Sequence, residues 1–371
     1  MKGVIRWLAL PVLLQLAGAP AAMAEALPEA LQGLGLREYG RPARDMPGWE
    51  VPRRVVFRQL FGDGTLAALQ ALTPDVEIVG VRSQEEARAA AVGAQVIIGF
   101  CDQSVLEVSD ALHWVQVYFA GVENCVEQPA VASGKLLLTN GQRLGSPTLA
   151  DHAIALTMSL TRGLYPYYRA QVDGRWMPNW SEPPPAFGEV AGRTMLVVGL
   201  GGIGSQVAKR AHGLGMRVIA TRNSRREGPD YVDYVGLAHE AVALAREADV
   251  VVNAAPLTDS TRGMFNAAFF EAMKPSAYFV SVGRGQSTVT DDLVVALKTG
   301  AIAGAGLDVT DPEPLPPEHP LWTAPNVIIT PHVAGRSREA LGRIEALVLE
   351  NYRRYVAGEP MLSVVNVERG Y

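Results

Sequence analysis

The sequence predicts an α/β protein built from two doubly wound parallel-sheet domains with a cleft between them. Three observations carry this. From Val55 to Ile329, short apolar runs alternate with segments of helical length. That is the pattern of parallel strands joined by right-handed crossover helices. The chain has 371 residues, and at roughly 150 residues per domain it fits about two cores. The alternation breaks once, between Asp173 and Gly188, where Trp176, Trp180 and Pro183-Pro184-Pro185 interrupt it.

Composition excludes several classes. A hydrophobic fraction of 48% supplies ample core, so the chain is not disordered. Lys and Arg number 33 against 38 Asp and Glu, a formal net charge of -5 without a long like-charge run. A nucleic-acid binder that neutralises phosphates is not expected. Two cysteines, Cys101 and Cys125, exclude a disulfide scaffold and a multi-cysteine metal site. They read as buried thiols rather than as a pair.

The elements follow in order. Lys2 and Arg6 precede an apolar stretch, Trp7 to Gly18, and Ala22-Met23-Ala24 follows. This is the anatomy of a secretory signal peptide over 1–24, too short to span a bilayer, so a periplasmic or otherwise exported chain without a membrane span is expected. Residues 25–52 are punctuated by Pro and Gly and read as an irregular extension on the domain surface. Strands are predicted around Val55–Phe57, Val76–Val79, Ala94–Ile98, His113–Tyr118 and Leu136–Leu138, with helices over 65–72 and 85–92. Pro147–Leu164 is a long apolar helix. A second series begins at Thr194. The final helix, Ser337–Ala357, carries Leu341, Ile344, Leu347 and Val348 on one face and is expected to return to the first domain. The domains are therefore 53–145 with 337–371, for substrate, and 146–336, for cofactor.

The strongest local signal is Val197-Val198-Gly199-Leu200-Gly201-Gly202-Ile203-Gly204. It follows an apolar strand and opens a helix, the context that Gly-x-Gly-x-x-Gly requires for dinucleotide binding in a Rossmann-type domain. Gly199 permits the turn, Gly201 lets a pyrophosphate approach, and Gly204 lets helix and strand pack closely. The next strand ends at Thr221-Arg222. An NAD-selective site places a carboxylate there. Here Arg222, Ser224 and Arg225 stand in its place, and a guanidinium suits a ribose 2′-phosphate. NADP(H) is favoured, with NAD(H) admissible.

Three further strand ends carry ionisable groups: Arg284 in Val282-Gly283-Arg284-Gly285, Glu313 after Asp308, and His332 in Thr330-Pro331-His332. Ligands bind at such strand ends in open α/β sheets. An arginine, a glutamate and a histidine there supply an anion clamp, an orienting carboxylate and a proton carrier. Arg143, Tyr118 and Trp322 are further candidates for the walls.

These residues together resemble the D-isomer-specific 2-hydroxyacid dehydrogenases, with the glyoxylate/hydroxypyruvate reductases as the most similar branch. The resemblance runs from about Val55 to Asn366. It rests on Phe119-Ala120-Gly121-Val122, Asp151-His152-Ala153, the glycine loop, Pro256-Leu257-Thr258 with Thr261-Arg262-Gly263, Arg284-Gly285, Leu307-Asp308-Val309 through Glu313-Pro314, and Pro331-His332. It implies a flavodoxin-like substrate domain and a homodimer. His332 would be the general acid/base, with Glu313 hydrogen-bonded to it and favouring its protonated form. Arg284 would bind the substrate carboxylate and polarise the carbonyl, and the amides of Ala120 and Gly121 would hold the other carboxylate oxygen. Gly199, Gly201, Gly202, Ile203, Gly204, Thr221, Arg222, Ser224, Arg225, Pro256, Thr261, Val282, Arg284, Asp308 and His332 would surround the cofactor. Asp308 would help place the nicotinamide carboxamide. The implied reaction interconverts a small 2-oxo acid and a D-2-hydroxy acid, without a metal. Glu123 stands where the family often has aspartate, and Asp151 where it often has glutamate. A nucleotide-sensing or scaffolding protein on the same fold is the competing class, because fold alone does not decide activity. Oxidation of a non-carboxylate such as phosphite is a third.

Overall fold

The computed structural model describes residues 26–60, 62–177 and 188–367. The signal-peptide assignment, Trp180 and Pro183-Pro184-Pro185 lie outside those residues.

Strand β1 (Glu38–Pro42) belongs to the extension. Strands β2 (Arg54–Arg58), β3 (Glu77–Val81), β4 (Val96–Ile98), β5 (Trp114–Gln116) and β6 (Leu137–Thr139) form a parallel sheet in the order β3-β2-β4-β5-β6. This is the doubly wound order of flavodoxin-like domains. Strands β7 (Thr194–Val198), β8 (Arg217–Arg222), β9 (Tyr234–Leu237), β10 (Val250–Asn253), β11 (Tyr278–Ser281), β12 (Gly304–Leu307) and β13 (Val327–Ile329) form the second sheet. Its order is β13-β12-β11-β10-β7-β8-β9, with every pairing parallel. The order reverses between β7 and β10, so the crevice for a ligand opens beyond their carboxyl ends. β7 reads Thr-Met-Leu-Val-Val without polar alternation because helices cover both faces, and all five residues are buried.

The Ser146–Thr161 helix joins the domains. It packs on the Gly202–Gly213 helix and places Leu156 and Leu160 in the core of the cofactor domain. The Arg338–Val356 helix returns to the first domain, as expected. Val348, Tyr352 and Tyr355 pack there with Phe57 and Trp114, and the Trp114 and Tyr355 rings stack at 5.0 Å.

Three expectations are corrected. The extension is not irregular throughout: β1 pairs antiparallel with β14 (Pro360–Leu362), and Leu31 is buried with Leu144, Leu347 and Leu362. Leu341 does not share the buried face of its helix; it is half exposed, while Leu347 and Val348 are buried. Cys101 and Cys125 are not separate thiols but a bridged pair, with Cα atoms 5.5 Å apart. The fold brings them together because Cys101 follows β4 and Cys125 lies in the Glu123–Val126 helix on the same face of the sheet.

Candidate active site

The glycine loop lies at the switch point, between β7 and the Gly202–Gly213 helix. Gly199 has φ 96°, and a Cβ there would stand 2.7 Å from the Ala255 Cα. A Cβ on Gly204 would collide with the Gly199 carbonyl oxygen. Side chains are thus excluded where β7 turns into the helix. In front of Gly201 the space is open, as a phosphate approaching the loop needs. The facing wall is Ala254-Ala255-Pro256, after β10. Thr261 fixes that segment: its hydroxyl donates to the Pro256 carbonyl at 2.7 Å and accepts from the Thr258 amide at 2.8 Å. Loop and wall bound a cleft of about 630 Å³. These residues fit a dinucleotide.

At the end of β8, Thr221 is buried and Arg222 half-buried, while Ser224 and Arg225 are exposed on the following turn. Arg226, from the same basic run, is committed elsewhere: it binds Glu240 and the Tyr234 hydroxyl. Arg222 and Arg225 make no ion pair among the described residues. The buried Nε of Arg222 has no hydrogen-bond partner. Burial, with the charge of Arg225, holds the Arg222 pKa below its ordinary value, and Glu227 opposes this.

Arg284 follows β11 and crosses the cleft. Its Nε donates to Glu123 Oε1 at 3.1 Å and its Nη1 to the Gly283 carbonyl at 3.0 Å. Its Nη2 lies against Gly121, where a Cβ would have to push the guanidinium aside. The Ala120 carbonyl accepts from Asn140 Nδ2 at 2.7 Å, which fixes this loop. The Ala120 and Gly121 amides make no hydrogen bond among the described residues, so they are available to an anion.

His332 sits in a turn of left-handed backbone, φ 53°. Asp308 builds that turn. It is 1% exposed, and its Oδ1 accepts from the Thr330 hydroxyl at 2.6 Å and the Val333 amide at 2.9 Å. Its Oδ2 accepts from the Ala334 amide at 3.0 Å, and its carbonyl from the His332 amide at 2.8 Å. Asp308 therefore faces the His332 turn. Glu313 Oε1 lies 2.6 Å from His332 Nδ1, leaving Nε2 for a ligand. His332, Arg284, Ala120, Gly121, Tyr118 and Val282 line one pocket of about 280 Å³. It shares Arg284, Arg143 and Ile203 with the larger cleft, so the two spaces adjoin. Trp322 is not in either space; its indole donates to the Pro316 carbonyl.

Sequence reasoning missed two supports. Glu123 holds Arg284 across 161 residues of chain, and only its departure from the family pattern drew notice. His152, named in the sequence only as part of a family motif, meets the Thr330 hydroxyl through Nε2 at 2.9 Å and so extends the Asp308 network.

Comparison with known proteins decides the family. The profile for the NAD binding domain of D-isomer specific 2-hydroxyacid dehydrogenases matches residues 154–334. A glyoxylate reductase of Korarchaeum cryptofilum is 36% identical over 72% of this chain and 80% of its own. The chain belongs to the D-isomer specific 2-hydroxyacid dehydrogenase family. A glyoxylate/hydroxypyruvate reductase B of Enterobacter is 32% identical over 81% of this chain and 91% of its own. Among solved structures, the NADPH-dependent glyoxylate/hydroxypyruvate reductase of Sinorhizobium meliloti, in complex with NADP and sulfate, superposes with TM-score 0.72 at 26% identity, covering 86% of this chain and 99% of that one. The chain is an NAD(P)-dependent oxidoreductase of this family.

Proposed function

We propose that this protein interconverts a small 2-oxo acid, of the glyoxylate or hydroxypyruvate kind, and its D-2-hydroxy acid, with NADP(H) preferred. One observation carries the reading. Arg284, His332 and the unengaged Ala120 and Gly121 amides line a single pocket of about 280 Å³ beside the dinucleotide cleft. That volume suits a substrate of few atoms.

When bound in the cleft, the nicotinamide would supply or accept the hydride at the substrate C2. Arg284 anchors the substrate carboxylate and polarises the carbonyl, and the Ala120 and Gly121 amides hold the second carboxylate oxygen. This fixes C2 in position. His332 Nε2 donates a proton to the forming alkoxide, or removes it in the reverse direction. Glu313, on Nδ1, sets the ring's orientation and tautomer and stabilises the imidazolium. Asp308 keeps the His332 turn in place and, by the family resemblance, also meets the nicotinamide carboxamide. Arg222, Ser224 and Arg225 receive the ribose 2′-phosphate.

The test is oxidation of NADPH and of NADH against glyoxylate, hydroxypyruvate, pyruvate and bulkier 2-oxo acids, with phosphite as the reverse-direction control. Turnover of the small acids, faster with NADPH, is expected. Tight nucleotide binding without turnover of any acid would replace the enzyme reading with a nucleotide-sensing one.

We also propose that the chain is exported after cleavage behind Ala24, a reading supported by the Cys101–Cys125 bridge, since such bonds persist in oxidising compartments. Cell fractionation and sequencing of the mature N-terminus test this, and a cytoplasmic chain retaining Met1 refutes it. A homodimer is proposed to cover the exposed Leu164, Tyr168, Val172 and Trp176 side chains. Light scattering after size exclusion reads that state.

A further inference from the structure

Four guanidinium groups from three stretches of chain gather beside the cofactor cleft, Arg37 and Arg143 in its lining and Arg222 and Arg225 near enough for their charges to act on Arg143. Arg222 and Arg225 stand at the end of β8. Arg143 comes from the loop ahead of the interdomain helix, and Arg37 from the extension, immediately before β1. Arg37 and Arg143 line the same cleft as Gly201 and Gly202.

Arg143 is placed from both sides. A Cβ on Gly202 would stand 3.0 Å from its Cγ, and one on Gly35 would stand 3.0 Å from its Nη1. Nη1 donates to the Leu34 carbonyl at 3.3 Å. The side chain therefore lies between the phosphate loop and the extension. Its backbone holds φ 70°, a conformation that costs a non-glycine residue energy and that the surrounding structure must enforce.

None of the four arginines makes an ion pair with a carboxylate among the described residues. Burial, followed by the charges of Arg37, Arg222 and Arg225, holds the Arg143 pKa below its ordinary value. Glu227 offsets part of this at Arg222, but cations gathered without an ion-pair partner still repel one another, and an anion in their midst removes that cost. Arg226 provides the contrast, since the same run of sequence gives it a carboxylate and a phenol as partners.

We propose that Arg37 and Arg143 join Arg222 and Arg225 in one site for the phosphate groups of the bound dinucleotide, which makes the N-terminal extension part of the cofactor site. The inference rests on the dinucleotide reading of the cleft and deepens it. Such a site would offer two phosphate positions: one for the single 2′-phosphate at Arg222, and one for the two phosphoryl groups of the pyrophosphate at Gly201 and Gly202. The extension then does more than pack on the surface. It closes over the loop, and the ligand ties it to both domains.

The test uses the full chain, freed of nucleotide, with NADPH and NADH titrated calorimetrically into wild type, Arg37→Gln and Arg143→Gln, and with Arg222→Gln as comparison. Each variant is expected to weaken NADPH on the order of tenfold, the usual scale for one charge-assisted hydrogen bond. The melting temperature of the nucleotide-free protein should hold or rise, because a repelling charge is gone. A loss confined to NADPH assigns the 2′-phosphate, and an equal loss for NADPH and NADH assigns the pyrophosphate; both support the proposal. Unchanged affinity for both nucleotides overturns it, as does a lowered melting temperature with unchanged affinity, which marks a purely structural role. Arg37 is exposed, so Arg37→Gln keeps the test decisive if Arg143→Gln does not fold. Wild type that binds neither nucleotide defeats the dinucleotide reading itself, before any variant is compared.

Discussion

Asp308→Asn separates the construction of the His332 turn from the chemistry of the histidine. Asp308 is 1% exposed and accepts from Thr330 Oγ1, the Val333 amide and the Ala334 amide at 2.6, 2.9 and 3.0 Å. Asparagine keeps the volume and one oxygen, and turns an NH2 group toward a donor. One or two donors are then left without an acceptor in a buried turn. A hydrogen bond to a charged group is worth about 1.5–3 kcal/mol, so the loss is roughly 2–4 kcal/mol of stability. For a domain of this size that corresponds to a melting temperature lower by on the order of 10 °C. His332, held at φ 53° by this turn, then loses its register. A displacement near 1 Å costs about 10²-fold in rate. KM for the oxo acid should change little, because Arg284, Ala120 and Gly121 stand on other elements. Scanning fluorimetry and steady-state kinetics read both effects. Wild-type melting with wild-type kcat, or a raised KM at unchanged kcat, would refute the role assigned to Asp308.

Four other outcomes are expected. His332→Ala should lower kcat by about 10²–10⁴-fold, the worth of a positioned acid/base, with nucleotide affinity nearly unchanged; near-normal kcat at neutral pH would remove it from proton transfer. Arg284→Lys keeps the charge but not the planar fork, and kcat/KM for 2-oxo acids should fall on the order of 10²-fold or more; an unchanged value would take Arg284 out of the substrate site. Arg222→Asp should move preference from NADPH toward NADH, and a wild type already using NADH as well as NADPH would contradict the basic-turn reading. Glu240 is held at a pKa of about 2, first by its hydrogen bond to Arg226 and then by Tyr234 and the Leu237 amide. A depressed carboxyl contributes stability above its unfolded pKa and loses it as pH falls through the folded value. Wild type should thus outlast Glu240→Gln at pH 7, with the gap closing between about pH 4.5 and pH 2; a gap that persists at the acid end would argue against ionisation as its source.

What was legible in the sequence was what depends on neighbours along the chain. β7 and the glycine loop are readable because an unbroken apolar run and glycines at fixed offsets are local features. Arg284 and His332 are readable because each ends a recognisable strand. β1 was not, since Glu-Tyr-Gly-Arg-Pro has little intrinsic strand preference. It is a strand because β14 lies beside it, with Glu38 opposite Leu362. The Glu38 carboxylate also meets Arg354 Nη1 at 2.7 Å. Nor does a sequence separation of 24 decide whether Cys101 and Cys125 meet; the distance between the end of β4 and the Glu123–Val126 helix decides it. The Glu123–Arg284 contact joins two domains and has no local signature at all.

That contact also sets how Arg284 is presented to the pocket. Arg284 follows β11 of the seven-stranded sheet and Glu123 follows β5 of the five-stranded one, and their bond spans the gap at 3.1 Å. Both side chains are partly exposed, so the pair adds little to stability, about 0–1 kcal/mol. Its value is geometric. Nε and Nη1 are occupied by Glu123 and Gly283, which leaves Nη2 directed at Gly121. On the proposed reading, a substrate carboxylate would meet a guanidinium already aimed at the Ala120 and Gly121 amides, which are unengaged among the described residues. Because only a weak, solvent-screened pair stands in its way, an anion can also recruit Nε from Glu123 at small cost. A tighter, buried pair would hold Arg284 against the substrate, and an unpaired arginine would have to be ordered at each turnover. A half-exposed glutamate at position 123 meets both demands, and it does so from the opposite wall of the cleft.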